Sequence, residues 1–293
     1  MLKTFIKGER DLIYWGPMAG QKITIDDVVR IDYGSATNRI IKFIRDFLEG
    51  SGVKGFVIGL SGGVDSAATY FLAVKAVGPD KVLALIMHDS TVTPKEDVED
   101  AKSLVSIAGT QLHVIDIAPI VDSYISAIPV YESSDRVPVG NLRARIRMSI
   151  LYYYANKLNY AVLGTGDRSE AFLGYFTKYG DGGVDLLPIA VLLKSQVRRL
   201  AVKIGVPDKV AFKPSSPRLW PGQTAEGELG VSYDTVDVVI HAIEDLGLRP
   251  DEVPETTGIS SEIVDRILSL NRASQHKRSL PPSPPLKEVV RYL

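Results

Sequence analysis

The sequence predicts an α/β protein built on a doubly wound parallel sheet with helices on both faces. Three observations carry this. Short apolar runs alternate with longer segments of helical periodicity, the signature of parallel strands joined by crossover helices. The runs VIGL (57–60), VLALIM (82–87) and AVLG (161–164) are almost continuously apolar, as strands covered on both faces must be. The first of them leads straight into Ser61-Gly62-Gly63 and then a helical pattern, a strand–loop–helix junction suited to a ligand.

Taken in order, apolar residues between Ile23 and Leu48 recur at helical spacing, through Val28, Ile31, Ile40, Ile41, Phe43, Ile44 and Phe47, and Gly50 and Gly52 supply a stop. Gly55–Leu60 reads as the first strand, Ser66–Val77 as a helix and Lys81–Met87 as the second strand. Pro94–Ala108 reads as an acidic amphipathic helix with Pro94 in its first turn, where a missing N–H costs no bond. Gln111–Ile117 is a third strand, Asn141–Leu158 a long helix and Tyr160–Leu163 a fourth strand that ends in Gly164-Thr165-Gly166. Leu186–Ala190 is a candidate fifth strand. Lys194–Ile204, Tyr233–Leu246 and Ser260–Ala273 have helical spacing. The Pro- and Gly-rich stretch from Pro214 to Gly230 reads as a long functional loop, and Leu280–Pro285 as an extended tail. No internal repeat is present, and residues 1–293 read as one domain.

Composition narrows the function. Apolar residues make up 45% of the 293, enough for a large core, and charged residues make up 24% with a net charge of -1. A dedicated nucleic-acid binder is more basic than this. There is no cysteine, so disulfides, thiolate metal sites and cysteine nucleophiles are excluded. The opening MLKTFIKGERDLIYWG lacks the apolar run of a signal peptide. No stretch approaches the roughly 18 apolar residues of a membrane span, so no membrane partner and a cytoplasmic location are expected.

The strongest local signal is Ser61-Gly62-Gly63-Val64-Asp65-Ser66 after the strand ending Gly59-Leu60. Backbone N–H groups at a helix start, with the dipole behind them, form an anion site. Glycine permits close backbone approach, and Ser61 and Ser66 add hydroxyls. A carboxylate such as Asp65 would repel phosphate, and a metal ion between the two resolves the conflict. The loop lacks Gly-Lys-Ser/Thr, so it is not a Walker loop. The bland reading is a tight turn with a serine cap.

SGGVDS resembles the pyrophosphate loop of the ATP pyrophosphatases, which cleave ATP to AMP and pyrophosphate. That superfamily, with its Rossmann-like adenine-nucleotide alpha-hydrolase fold, includes NAD, GMP, asparagine and argininosuccinate synthetases. Further segments resemble NAD synthetases in particular. Gly140-Asn141-Leu142-Arg143-Ala144-Arg145-Ile146-Arg147-Met148 is similar to their GN..AR.RM stretch. Arg143 and Arg147 share a helical face and Arg145 points away from both. Three arginines near a predicted helix start suit anionic partners. Gly164-Thr165-Gly166-Asp167-Arg168-Ser169-Glu170 resembles the segment in which a threonine contacts ATP and a glutamate binds magnesium. Phe176 to Ile189, with KYGDGG at its centre, closely resembles the synthetase consensus, and Lys178 and Asp185 match its substrate contacts. Lys194 matches the family's ATP-phosphate lysine, Ser216 its ATP-contacting Ser/Thr (Ser215 is adjacent), and His276-Lys277-Arg278 its C-terminal substrate-binding pair. The resemblance runs from about Gly59 to Arg278. It departs at Met87-His88-Asp89-Ser90, where a proline-containing turn is expected, and before Ile23.

The resemblance implies adenylation of the nicotinate carboxylate of deamido-NAD by ATP, then attack by ammonia to give NAD and AMP. It implies that Gly59, Leu60, Ser61, Gly62, Gly63, Val64, Asp65 and Ser66, with Thr165, Lys194 and Ser216, hold ATP, and that Mg2+ sits on Asp65 and Glu170. Asp65 and Lys194 would carry the catalysis. Arg145, Lys178, Asp185, His276 and Lys277 would hold the dinucleotide. It further implies a homodimer, with residues 23–50 and 141–158 supplying apolar helices to the interface. Because SGGVDS begins at Ser61 and cysteine is absent, no glutaminase domain is expected upstream. The alternatives are another amidating member such as GMP synthetase, against which KYGDGG and the HK pair speak, and a non-catalytic nucleotide-binding module, which would need no second metal carboxylate.

Overall fold

The computed structural model describes residues 22–284. Four strands, β1 (Gly55–Gly59), β2 (Val82–His88), β3 (Gln111–Asp116) and β4 (Tyr160–Leu163), form one parallel sheet in the order β3-β2-β1-β4. The chain steps outward from β1 to β3 on one side, then crosses to place β4 on the other. Phe56 therefore registers with Val82 on one flank and with Ala161 on the other. The topological switch between β1 and β4 opens a crevice at their C-terminal ends.

The helices are α1 (Ile25–Val28), α2 (Tyr33–Ser51), α3 (Val64–Val77), α4 (Lys95–Ala108), α5 (Ala118–Ala127), α6 (Arg136–Leu158), α7 (Arg168–Leu173), α8 (Lys194–Ile204), α9 (Asp208–Ala211), α10 (Ala225–Leu229), α11 (Tyr233–Ile240), α12 (Val253–Thr257) and α13 (Ser261–Ala273). Strand periodicity sorts their cores. Phe56 and Ile58 of β1 pack with α2, α3, α4 and α8 on one face, while Val57, between them, packs with α5 and α6 on the other. Both sets are buried, which explains the unbroken apolar strands. Each such side chain contributes about 1.5–3 kcal/mol by leaving water. A third cluster, from α1, α7, α10, α11, α12 and α13, flanks the sheet and carries the segments after β4.

The predicted elements appear with five corrections. The apolar pattern from Ile23 to Leu48 is two helices, because Asp32 accepts hydrogen bonds from the Gly34 and Ser35 N–H groups and starts α2 afresh. Pro94 is the cap preceding α4, not part of its first turn. The long helix predicted from Asn141 is α6 and begins at Arg136, so Arg143, Arg145 and Arg147 lie well inside it and do not crowd its dipole. The fifth strand reduces to a single bridge between Leu163 and Leu186. Pro188 brings no N–H to a ladder, and the chain turns at once, Ala190 N–H reaching Leu187 O. The helix from Tyr233 widens at His241–Asp245 into a π turn that presents Glu244 and Asp245 together to Arg168 at 2.9 and 2.7 Å. The tail has no regular structure through Pro284, and Pro285 lies outside the described residues. No helix among the described residues is long and apolar enough to cross a membrane.

Candidate active site

A cleft of about 450 Å³ opens at the C-terminal ends of β1, β2 and β4. Its floor is the loop from Gly59 to Ser66, all eight residues of which line it. Gly63 precedes α3 without any side-chain cap, which leaves the first N–H groups of that helix without partners in the helix. The loop is internally braced. Ser66 Oγ donates to Gly63 O at 3.0 Å and accepts from Ser61 N–H at 3.2 Å. Gly62 has φ +79° and its Cα faces the Asp97 carbonyl so closely that a Cβ would stand 2.4 Å from that oxygen. Only glycine satisfies both demands.

Four charged side chains meet beside this loop. Lys194, the first residue of α8, is completely buried, and its Nζ lies 2.7 Å from Asp65, 2.8 Å from Glu170 and 2.9 Å from Asp167. Burial alone would pull the lysine down, but Asp167, Asp65 and Glu170 outweigh it and hold the ammonium well above its ordinary value. The carboxylates outnumber the cation, and burial adds to their mutual repulsion. Asp167 is pushed up to about 7 and Glu170 well above the usual range, both chiefly by burial. Asp167 also caps α7, accepting from the Glu170 N–H at 2.8 Å. The start of α8 is tied to that of α7 by the Arg168 N–H to Leu192 O bond and by Asp237 of α11, which bonds Ser169 Oγ and the Ser195 N–H.

The walls come from β2, α6 and the 213–223 loop. Arg143 donates to Asp89 at 2.6 Å and to Leu219 O at 3.0 Å, and Arg147 donates to Met87 O at 2.8 Å. These arginines therefore have internal partners. Lys213 pairs with Asp97 and Asp100, and Arg218 with Asp97, so the loop is latched to α4. Ser216 lines the cleft but spends its hydroxyl on Gln223 O at 2.6 Å, whereas Ser215 Oγ, also in the lining, is buried without a partner. Thr165 lines the cleft, as do Met87 and His88 at the end of β2, where the family pattern was broken.

The residues matched to substrate contacts divide. Lys277 lines the cleft, its Nζ donating to Gly174 O and Phe176 O at 2.8 Å each. Arg145, Lys178, Asp185 and His276 do not line it. Arg145 is exposed and reaches the Lys178 carbonyl at 3.3 Å. Asp185 accepts from Val162 N–H at 2.7 Å and from Tyr152 OH at 3.1 Å, fixing the chain to β4. His276 is exposed. The sequence reading missed Asp167 and Asp237. Asp167 had a local signal, an acid three residues before Glu170 as in a capping box, but nothing local showed that Lys194 would close on it.

Fold and cleft define a class: an α/β enzyme of the adenine-nucleotide alpha-hydrolase type, with the Gly59–Ser66 loop at the β1–β4 switch. Within that class the family model for NAD synthase matches residues 36–281. The chain is 56% identical over 273 residues to the NH(3)-dependent NAD(+) synthetase of Aeropyrum pernix, covering 92% of this chain and 96% of that one. It is 48% identical to the same-named protein of Methanosarcina mazei, covering 87% of this chain and 100% of that one. Among solved structures, the NMN synthetase of Francisella tularensis superposes with a TM-score of 0.77 at 33% identity, covering 87% of this chain and 99% of that one. The NH3-dependent NAD synthetase of Campylobacter jejuni does so with a TM-score of 0.72 at 29% identity over 86% of this chain and 99% of that one. The chain belongs to the NAD synthase family.

Proposed function

We propose that this chain amidates deamido-NAD to NAD, with ATP as co-substrate and ammonia as nitrogen donor, through an acyl-adenylate. A nicotinate carboxylate oxygen attacks the α-phosphorus of ATP, and the bond to pyrophosphate breaks. Ammonia then adds to the acyl carbon, loses a proton, and AMP departs. The observation that carries this reading is the meeting of Asp65 and Glu170, which line the cleft, with the buried Lys194 behind them, beside the uncapped start of α3. Such a site binds a polyphosphate and manages its charge, and positioning supplies most of the catalysis.

The donor set fits Mg2+. Oxygens of Asp65, Asp167 and Glu170 lie within 4.8 Å of one another, and Asp65 Oδ1 is a buried oxygen without a hydrogen-bond partner. Carboxylate oxygens are the ligands a hard cation prefers. We assign Mg2+ to Asp65 and Glu170, and when bound it would neutralise charge on the phosphates. The loop Gly59–Ser66 holds those phosphates through its N–H groups, and Lys194 adds a point charge that follows the leaving pyrophosphate. Thr165, with a hydroxyl from the Ser215–Ser216 pair, contacts the nucleotide, and Lys277 faces the dinucleotide.

Arg145, Lys178, Asp185 and His276 then complete the dinucleotide site beyond the cleft, at a homodimer interface in a cytoplasmic enzyme. Supporting this is the apolar surface of the α5–α6 side, where Tyr124, Val130 and Tyr153 are each more than half exposed. The experiment supplies the purified chain with ATP, Mg2+, ammonium and one acid at a time. Deamido-NAD should yield NAD and pyrophosphate. Amidation of a mononucleotide acid or of XMP in its place, or nucleotide binding without pyrophosphate release, would overturn the reading.

A further inference from the structure

Lys194 occupies the space between the carboxylates that the metal needs. Its ammonium donates hydrogen bonds to Asp65 Oδ2 at 2.7 Å and to Glu170 Oε1 at 2.8 Å, and Asp167 Oδ2 stands 2.9 Å away as a third ion-pair partner. The Tyr233 ring covers it from a further side, 5.0 Å away. The cation is thus enclosed by protein, with no exposure to solvent. The carboxylates are not equivalent, however. Asp65 and Glu170 line the cleft and their side chains keep 19% and 21% exposure, while Asp167 has none. Asp167 is also pinned by its bond from the Glu170 N–H at the start of α7.

We infer that Lys194 is the resident counter-ion of the metal site, that a divalent cation must displace it from Asp65 and Glu170, and that Asp167 keeps hold of it when this happens. The inference rests on the proposed function for its assignment of Mg2+. Three consequences follow from charge and geometry. The protein without nucleotide binds a free divalent ion weakly, because the two carboxylates the ion would use already pair with a well-placed ammonium. Polyphosphate relieves the conflict, because it offers the released N–H donors new anionic acceptors at the neighbouring loop. The lysine has a flexible four-carbon stem able to make that turn, with Asp167 as the fixed pivot. Metal and nucleotide therefore bind synergistically, and Asp167 acts as a positioning residue for Lys194.

The test is Mn2+ binding without nucleotide, read by the electron paramagnetic resonance of the free ion, on the wild type, Lys194→Met and Lys194→Arg. Removing the competing charge should tighten Mn2+ binding by at least about ten-fold in Lys194→Met, while Lys194→Arg, which keeps a cation, should gain nothing. Equal affinity of Lys194→Met and wild type overturns the inference. Should the methionine variant fail to fold, the wild type carries the test. The ammonium 15N resonance of Lys194, identified by its loss in Lys194→Arg, should shift when Mg2+ and a non-hydrolysable ATP analogue are added together. A resonance unmoved by both overturns the inference. A wild type that forms NAD but fails these tests counts against the counter-ion alone, whereas one that binds Mn2+ as described yet forms no NAD counts against the activity.

Discussion

Asp237 on α11 accepts a hydrogen bond from the Ser195 N–H at 2.8 Å, and so caps the first turn of α8 from a different helix. Its other oxygen accepts from Ser169 Oγ, which in turn accepts from the Lys194 N–H at 2.9 Å. Asp237, Ser169 and Lys194 are all fully buried. The lysine is aimed through its backbone by an acid that never touches its ammonium. Asp237→Ala leaves buried donors unpaired and should cost about 2–4 kcal/mol in denaturant unfolding, for more than one lost charge-assisted bond. Asp237→Asn keeps an acceptor and should cost less. Both should lower kcat more than they raise the KM for ATP, and unchanged kcat in a destabilised Asp237→Ala would show that the network is purely structural.

Asp65→Asn and Glu170→Gln should each abolish pyrophosphate release while leaving circular dichroism and the unfolding transition near wild type, since both side chains sit at the open side of the cluster. Lys194→Ala should lower kcat by about 100-fold or more, the scale of a lost transition-state donor. Near-normal pyrophosphate release by a folded Asp65→Asn or Glu170→Gln would remove the metal assignment.

Gly62 and Gly52 form a matched pair for testing whether the loop from Gly59 to Ser66 carries phosphates. Both have positive φ, +79° and +73°, but a Cβ at Gly62 would meet the Asp97 carbonyl at 2.4 Å and one at Gly52 would meet nothing within 4 Å. Gly52→Ala should show conformational strain alone, about 1–2 kcal/mol, with normal kinetics. Gly62→Ala should displace the loop and raise the KM for ATP by at least about ten-fold beyond that shared strain. Equal kinetics in the two variants would mean that the loop does not carry the phosphates.

Much of this site was legible in the sequence, and the rest was not, for physical reasons. The loop from Gly59 to Ser66 is local: a buried strand, two glycines and a helix start specify it within eight residues. Glu170 and Lys194 were placed by resemblance, and the fold brings both to Asp65. Tertiary pairing was invisible. Arg143 and Arg147 look alike in sequence, yet Arg143 serves Asp89 and the Leu219 carbonyl, while Arg147 donates to the Met87 carbonyl and lines the cleft. Asp237 sits in an apolar helix of α11, and only the approach of α8 gives it a purpose. Strand 186–190 failed for a local reason that the sequence did print, Pro188.

The Asp89–Arg143 pair should govern acid stability near the cleft. Burial pushes Asp89 up, but the bond from Arg143 at 2.6 Å and those from Thr91 outweigh it and hold the carboxyl below its ordinary 3.8. A depressed carboxylate contributes stability that is fully present above the unfolded value and is lost as pH falls through the folded one. The wild type should therefore lose Tm on acidification below about pH 4, and Asp89→Asn should lose less over that interval after starting lower at pH 7. Arg143 also holds the Leu219 carbonyl, so Asp89→Asn should speed proteolysis within residues 213–223. Parallel Tm profiles for the two proteins would refute the assignment.

Ammonia, and not glutamine, should feed the reaction of the isolated chain. Releasing ammonia from glutamine requires a nucleophile able to attack an unactivated amide near neutral pH, and a cysteine thiolate is suited to it. The chain contains no cysteine. A hydroxyl nucleophile would need a paired base with access to substrate. Hydroxyls that meet an acid are engaged in the fold: Ser169 and Asp237 are completely buried and committed to the α8 backbone, Ser35 bonds the Asp32 that caps α2, and Thr91 shares Asp89 with Arg143. With ATP, Mg2+ and deamido-NAD, ammonium should support NAD formation in proportion to the free-base fraction of the added nitrogen, so the rate at fixed total ammonium should rise about ten-fold per pH unit while chemistry on ammonia limits it. Ammonia-free glutamine should give only background. A separate glutaminase, added to the same mixture, should restore turnover by releasing ammonia into solution. Robust glutamine-dependent turnover by the purified chain alone would mean that an amide-cleaving centre exists where neither its chemistry nor its geometry has been found among the described residues.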